Sequence, residues 1–305
     1  MRADRTALEP KMTYFSHDTL FRSSILRITD IRWVADDRRQ TGEFDSPMPE
    51  ITFMRSGMWV CRHGRQGTPC DSNTLLFLNV DEPYSMSHPV HARCACTALL
   101  VEPAVLRDLV RAHDPAAADR GDHLFAIGHC PCAVDTTLDH YALLRLARDM
   151  DGSDPLAVEE AGLALARRAV AAAYRFNGRR PRRARPGTDR AHADLAHATK
   201  EILAARYRER LRLDEVARAV HAAPNHLCTV FKRETGSSIH AYITRLRLAA
   251  AVESLSSAPR PLARLALEMG FCHHSHFSTS FRRVYGESPS QVMRRLRPPA
   301  PGSNT

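Results

Sequence analysis

The stretch "LRLDEVARAVHAAPNHLCTVFKRETG", Leu211–Gly236, returns in altered form as "RPLARLALEMGFCHHSHFSTSFRRVYG", Arg260–Gly286. Leu227 and Phe231 align with Phe277 and Phe281, Lys232–Arg233 with Arg282–Arg283, and Gly236 with Gly286, all offset by 50. The shorter pieces "DEVARAV" and "LARLALEMG" match at an offset of 49, so the turn in the second copy is one residue longer. Each copy reads as a short helix, a tight turn and a second helix stopped by a glycine that tolerates a left-handed backbone. An internal duplication of this kind sets the architecture of the whole C-terminal part.

The side chains of each copy sort onto two faces. In the first, Val216, Ala217 and Val220 face Leu227, Val230 and Phe231, and Pro224 suits an opening helical turn. The opposite face carries Asn225, Cys228, Thr229 and Lys232, three, four and seven positions on from Asn225. In the second copy the equivalent face is His274, Ser275, Ser278, Thr279 and Arg282. Small, polar or cationic side chains on an otherwise apolar-backed helix suit entry into a major groove. Asn225, Cys228, Thr229, His274, Ser275, Ser278 and Thr279 are therefore the candidates to face bases. Lys232, Arg233, Arg247, Arg282 and Arg283 are the candidates to face phosphates. Between the copies, "SSIHAYITRLRLAAAVESLSS" is one helical pattern with Ser237 or Ser238 as cap, a stiff connector able to hold two reading helices about 34 Å apart. "ESPSQVMRRL" closes the region, with Ser288 and Gln291 spaced as a reciprocal helix cap.

The cluster Cys272, His273, His274 and His276 invites a metal reading. His273 and His276 are three apart, however, not four as in a zinc-binding helix, and the cluster falls on the turn and first helical turn of the second copy. It reads as part of that unit. No metal, cofactor or catalytic residue is expected.

The front of the chain has a different character. "SILRITDIRWV", "EITFMRSGMWVCRHG", "NTLLFLNV" and "CACTALLVE" are strand-like and separated by turn-rich segments. Three helical patterns follow: Glu102 to His113, "TTLDHYALLRLARDM" and "DPLAVEEAGLALARRAVAAAYRF". Net charge is −5 over residues 1–174, +6 over 175–188 and +8 over 189–305, an acidic front joined to a polyanion-binding back. The arginine- and proline-rich "NGRRPRRARPGTD" reads as a linker. With 44% hydrophobic and 25% charged residues, no long apolar run and no apolar leader, a cytoplasmic globular protein is expected.

Residues 195–296 resemble the DNA-binding domain of the AraC/XylS family of bacterial transcription regulators, through "VFKRETG", "YITRLRL", "A-LEMGF", "SHFSTSFRRVYG" and "SPSQV". The front resembles that family's cupin-like sensor domain more weakly, through "GTPCDSNTLLFLNVDEPYSMSHP" and "CTALLVEP". The resemblance implies an α+β two-domain chain. Residues 1–176 would be a cupin-like β-barrel with trailing helices that binds an effector or dimerises, and 177–190 a linker. Residues 191–297 would be an all-α domain of two helix-turn-helix units joined by a linker helix, and 298–305 a disordered tail. It also implies a transcriptional activator with double-stranded DNA, RNA polymerase, a small-molecule effector and a second copy of itself as partners, and no membrane.

Two alternatives come from the front half. Cys94/Cys96 and Cys130/Cys132 could converge as a thiol- or metal-responsive centre. The His88-Pro-Val-His91 pair could mark a metal-dependent cupin-like enzyme, although on a strand its two rings point to opposite faces and no glutamate follows nearby.

Overall fold

The computed structural model describes residues 12–35, 41, 43–64, 66–88, 92–121, 123–149, 154–178, 186–257 and 260–296. Nine strands and ten α-helices are described, the strands all within the front half: β1 Met12–Arg22, β2 Leu26–Ala35, β3 Glu50–Ser56, β4 Trp59–His63, β5 Gln66–Cys70, β6 Thr74–Leu78, β7 Ser85–Ser87, β8 Ala92–Val101 and β9 His129–Pro131. They form an antiparallel sheet of order β1-β2-β8-β3-β6-β9 and a second of order β5-β4-β7. The expected strand-rich front is present, and as two sheets that close no barrel among the described residues. His88 is buried and its ring accepts a 2.6 Å hydrogen bond from the Trp33 indole, while His91 lies outside the described residues.

Side-chain alternation at a period of two gives the larger sheet two apolar faces. Ile28, Ile51, Phe53, Leu75, Phe77 and Leu99 point to one side, against α1 (Pro103–Arg111), α2 (Val134–Arg148) and α3 (Pro155–Gly178). Trp33, Met54, Leu76, Leu78, Cys94 and Cys96 point to the other, where Trp59, Cys61 and Cys70 of the smaller sheet complete the layer. That interior is filled by two indoles, a thioether and four thiols rather than by an open barrel cavity.

The helices of the back half are α4 (Pro186–Arg206), α5 (Leu213–Ala219), α6 (Pro224–Thr235), α7 (Ile239–Ser257), α8 (Leu262–Glu268), α9 (His274–Tyr285) and α10 (Pro289–Leu296). Helix α3 runs to Gly178 and α4 begins at Pro186, so the expected linker is helical at both ends. Residues 179–185 and the expected tail, 298–305, lie outside the described residues. The duplication has the expected form: α5 and α8 are offset by 49, α6 and α9 by 50.

Helix α7 has no broad solvent face. Ile243 and Leu246 join Leu227, Phe231 and Val216 in the core of the first unit. Leu248, Ala251, Val252 and Leu255 join Leu265, Phe277 and Phe281, a core that continues without a break into the front half. Its remaining stripe, Tyr242, Arg245, Ala249 and Glu253, meets the front half directly. Removing the Phe231 ring from this packing would be expected to cost about 3–5 kcal/mol.

A buried imidazole lies in that junction. His140 on α2 stacks on Phe53 at 4.8 Å, and its Nε2 has no hydrogen-bond partner among the described residues. Burial, then the Arg55 and Arg148 guanidiniums, hold it well below the usual histidine range of 6.5, so it is neutral when folded. As pH falls through about 6.5 the unfolded chain takes up this proton and the folded chain does not. The folded state therefore loses stability progressively from that pH downward. Thermal unfolding between pH 7.5 and 5.5 should show this loss in the wild type and a flatter profile in His140→Phe, which keeps the stack without the proton site.

Candidate nucleic-acid interface

The two reading units are built alike down to the backbone of their turns. Ala222 N–H reaches the Ala217 carbonyl at 2.9 Å and Phe271 N–H reaches the Ala266 carbonyl at 3.0 Å, the same bond in each copy. The residue before each is left-handed, His221 at φ 53° in the first and Gly270 at φ 82° in the second. Gly236 and Gly286 end α6 and α9 with φ of 72° and 75°, and their N–H groups cap the Lys232 and Arg282 carbonyls.

Glycine at 270 answers a second demand. A Cβ there would meet the Arg208 carbonyl oxygen at 2.5 Å, because the loop leaving α4 passes over the turn. Arg247 pins that loop, its Nε donating to the Tyr207 carbonyl at 2.5 Å and an Nη to the Glu209 carbonyl at 2.7 Å. Its guanidinium also lies 5.8 Å from the Phe271 ring centre, and burial lowers its basicity. Of the residues expected to face phosphate, Arg247 is thus the one committed inside the fold.

The others share exposed faces. Asn225, Cys228, Thr229, Lys232 and Arg233 are exposed on α6, and His274, Ser275, Thr279, Arg282 and Arg283 on α9, with Ser278 half-buried. Leu227, Val230 and Phe231 of α6, and Phe277, Ser280 and Phe281 of α9, are buried on the opposite sides. The Thr229 hydroxyl donates to the Asn225 carbonyl at 2.9 Å. Arg233 bonds Glu234 at 2.7 Å and contacts His192 of α4. Elsewhere in this half several arginines are paired: Arg218 with Asp214 at 3.0 Å, Arg264 with Glu268 at 2.9 Å, Arg295 with Glu287 at 2.7 Å. Lys232, Arg282 and Arg283 enter no ion pair among the described residues, which leaves unneutralised cations on both reading helices.

The histidine cluster is resolved into local roles. His273 caps α9, its Nδ1 accepting the His276 N–H at 3.3 Å, and Ser275 Oγ lies 3.1 Å away. His276 sets its ring edge-on to Phe271 at 5.4 Å, and His274 Nε2 lies 3.2 Å from Ser278 Oγ. Ser288 and Gln291 cap α10 reciprocally, at 2.8 and 3.3 Å. Among the described residues no group of three His, Cys, Asp or Glu side chains is placed to hold a metal ion.

The cysteine pairs do not converge. Cys94 and Cys96 lie between the sheets with Cys61 and Cys70, whereas Cys130 and Cys132 belong to the core on the helix side. Burial pushes the Cys94 and Cys130 thiols up to about 12 and raises Cys96 and Cys132 as well, which disfavours the reactive thiolate. Residues not singled out in the sequence form the contact between the halves instead: Asp30, Arg55, Asp71, Tyr141, Tyr242 and Glu253. The available signal was the presence of Asp30 and Arg55 inside strand-like runs. Beside this contact a cleft of about 200 Å³ opens between α2, α7 and α10, lined by Tyr141, Leu144, Arg145, Arg148, Ser256 and Leu296.

Residues 216–295 match a family of helix-turn-helix domains. The probable transcriptional regulator LumQ of Photobacterium leiognathi is 31% identical over 83 residues, 27% of this chain and 34% of that protein. The Msm operon regulatory protein of Streptococcus mutans is 26% identical over 97 residues, 32% of this chain and 35% of that one. The matched stretch thus spans about a third of each relative. Among solved structures, ToxT from Vibrio cholerae is similar over 90% of this chain and 99% of that one, with 10% identity and a TM-score of 0.35.

The paired turns make a reciprocal test. Gly270→Ala should destabilise the protein by about 1–3 kcal/mol, from backbone strain and the collision with Arg208. His221→Gly, at the equivalent position, should change stability by less than about 1 kcal/mol. Chemical denaturation of both variants measures the difference.

Proposed function

We propose that the chain is a sequence-specific DNA-binding regulator of transcription of the AraC type, a reading supported by the match of residues 216–295 to a family of helix-turn-helix domains. The observation that carries this reading is the pair of exposed, polar and cationic faces on α6 and α9, duplicated within one chain and joined by a single helix. The 19 residues of α7 would span about 28 Å at 1.5 Å per residue, a length suited to placing two helices in successive major grooves.

In this reading Lys232, Arg233, Arg282 and Arg283 meet phosphates and set affinity. Asn225, at the second position of α6, reads a base edge, with adenine as its bidentate partner. Cys228, Thr229, His274, Ser275, Ser278 and Thr279 complete the two reading faces. Residues 1–176 act as the controlling half and 191–297 as the reader. The packed layer between the two sheets supports a departure from an open cupin-like barrel, and the cleft beside α2, α7 and α10 supports an effector site at the junction. Activation through RNA polymerase and pairing with a second copy complete the proposal.

Selection from a random duplex pool with the full chain should recover a bipartite site with half-sites about one helical turn apart; recovery of no preferred sequence would overturn the reading. Asn225→Ala should lose about 1–3 kcal/mol of discrimination at one position of one half-site and leave the rest of the profile intact. Arg282→Ala should weaken all duplexes alike and reduce the salt slope by about one unit. Titrations at several salt concentrations read that out.

A further inference from the structure

Arg55 of β3 is the largest fully buried side chain described, with 1% of its side chain exposed. A guanidinium withdrawn from water needs anions close by, and here they come from both halves of the chain. Asp30 of β2 pairs with it directly, and Glu253 of α7 lies 3.6 Å away. Arg148 of α2 approaches Asp30 at 2.8 Å, and the Tyr141 hydroxyl donates to Glu253 at 2.9 Å. Burial alone would raise the Asp30 carboxyl, yet Arg55, Arg148 and Arg32 outweigh it and hold it below the usual range, so it stays charged.

Glu253 is one end of a longer contact. At the other end of α7, the buried Tyr242 hydroxyl donates to Asp71 at 2.7 Å, and Asn73 donates to the Tyr242 carbonyl at 3.1 Å. Between them Arg245 donates to the Cys132 carbonyl, and Ala249 lines a small cavity with Phe53, His140 and Tyr141. Tyr242, Arg245, Ala249 and Glu253 are spaced three, four and four apart, which is one face of a helix. The front half thus lies along three turns of the helix that separates the two readers. It leaves the outward faces of α6 and α9 uncovered.

We propose that the front half acts on DNA recognition as a splint on α7, with the Asp30–Arg55–Glu253 network as its anchor, fixing the spacing of the two readers rather than masking them. Docked, the chain accepts one half-site spacing; released, it accepts several. This rests on the DNA-reading function proposed above, and the two fail in distinguishable ways. If the wild type selects no sequence, that function fails; if it selects one and the following comparison is flat, only the splint fails.

The test uses the full chain and two duplexes, the selected site and the same site lengthened by two base pairs between its half-sites. Wild type should prefer the first strongly. Glu253→Gln, with wild-type helical content, should cut that preference about tenfold, and Glu253→Asp should cut it less. Tyr141→Phe removes a single hydroxyl and should fall between; it decides the matter if Glu253→Gln fails to fold. Hydrogen exchange without DNA supplies a second readout, with β3 and the Tyr242–Glu253 face exchanging at least fivefold faster in Glu253→Gln. An unchanged spacing preference in a folded Glu253→Gln or Tyr141→Phe protein overturns the splint.

Discussion

One guanidinium, that of Arg55, has to be neutralised where no water reaches it, and the fold is arranged around that need. Asp30 answers from β2, two strands away in the same sheet, and Glu253 from a helix about two hundred residues later, so the sheet and the connector helix must meet. That meeting gives α7 its unusual composition. It is apolar toward both readers and carries Tyr242, Arg245 and Glu253 toward the sheet, leaving little of its circumference for solvent. A buried ion pair of this kind adds little net stability over an apolar substitute, while removing one partner is costly. Its contribution is to specify one arrangement of the two halves.

The reading units were legible because their signals are local. Apolar residues recur at helical spacing, a proline opens α6, glycines close α6 and α9, and a repeat lets each copy check the other. Even the longer turn before α9 could be counted in advance. Strand β1 was not legible, because "MTYFSHDTLFR" lies at the sheet edge and exposes Phe15, His17, Asp18 and Thr19, which erases alternation. Strands β5 and β7 read as turns from their Gly, Pro and Ser content. Both owe their extended form to pairing with β4, through Trp59 with Cys70 and Val60 with Ser87. The junction was hidden for another reason: no pattern within a window of sequence links Arg55 to Glu253 or Asp71 to Tyr242.

The same distinction explains the Arg247 placement and the cysteines. Arg247 was expected to face phosphate, but a loop carbonyl pair 38 and 40 residues earlier claims the guanidinium. Cys94 and Cys96 do share a strand face, as alternation requires. What alternation could not reveal is that Cys130 and Cys132 pack on the far side of that sheet, with their own core. Spacing along a chain orders residues on one element; only the topology of the sheet decides which elements share a side.

The duplicated readers differ in nearly every outward residue, Asn225, Cys228 and Thr229 in one against His274, Ser275, Ser278 and Thr279 in the other. A single chain therefore cannot sit on a duplex in two equivalent orientations, as a pair of identical readers about a twofold axis would. Each bound chain has a leading and a trailing end, and its site is a word with a direction. In the proposed reading, any surface of the front half that met the transcription machinery would then point consistently upstream or downstream, and inverting the site would reverse the geometry without altering the affinity.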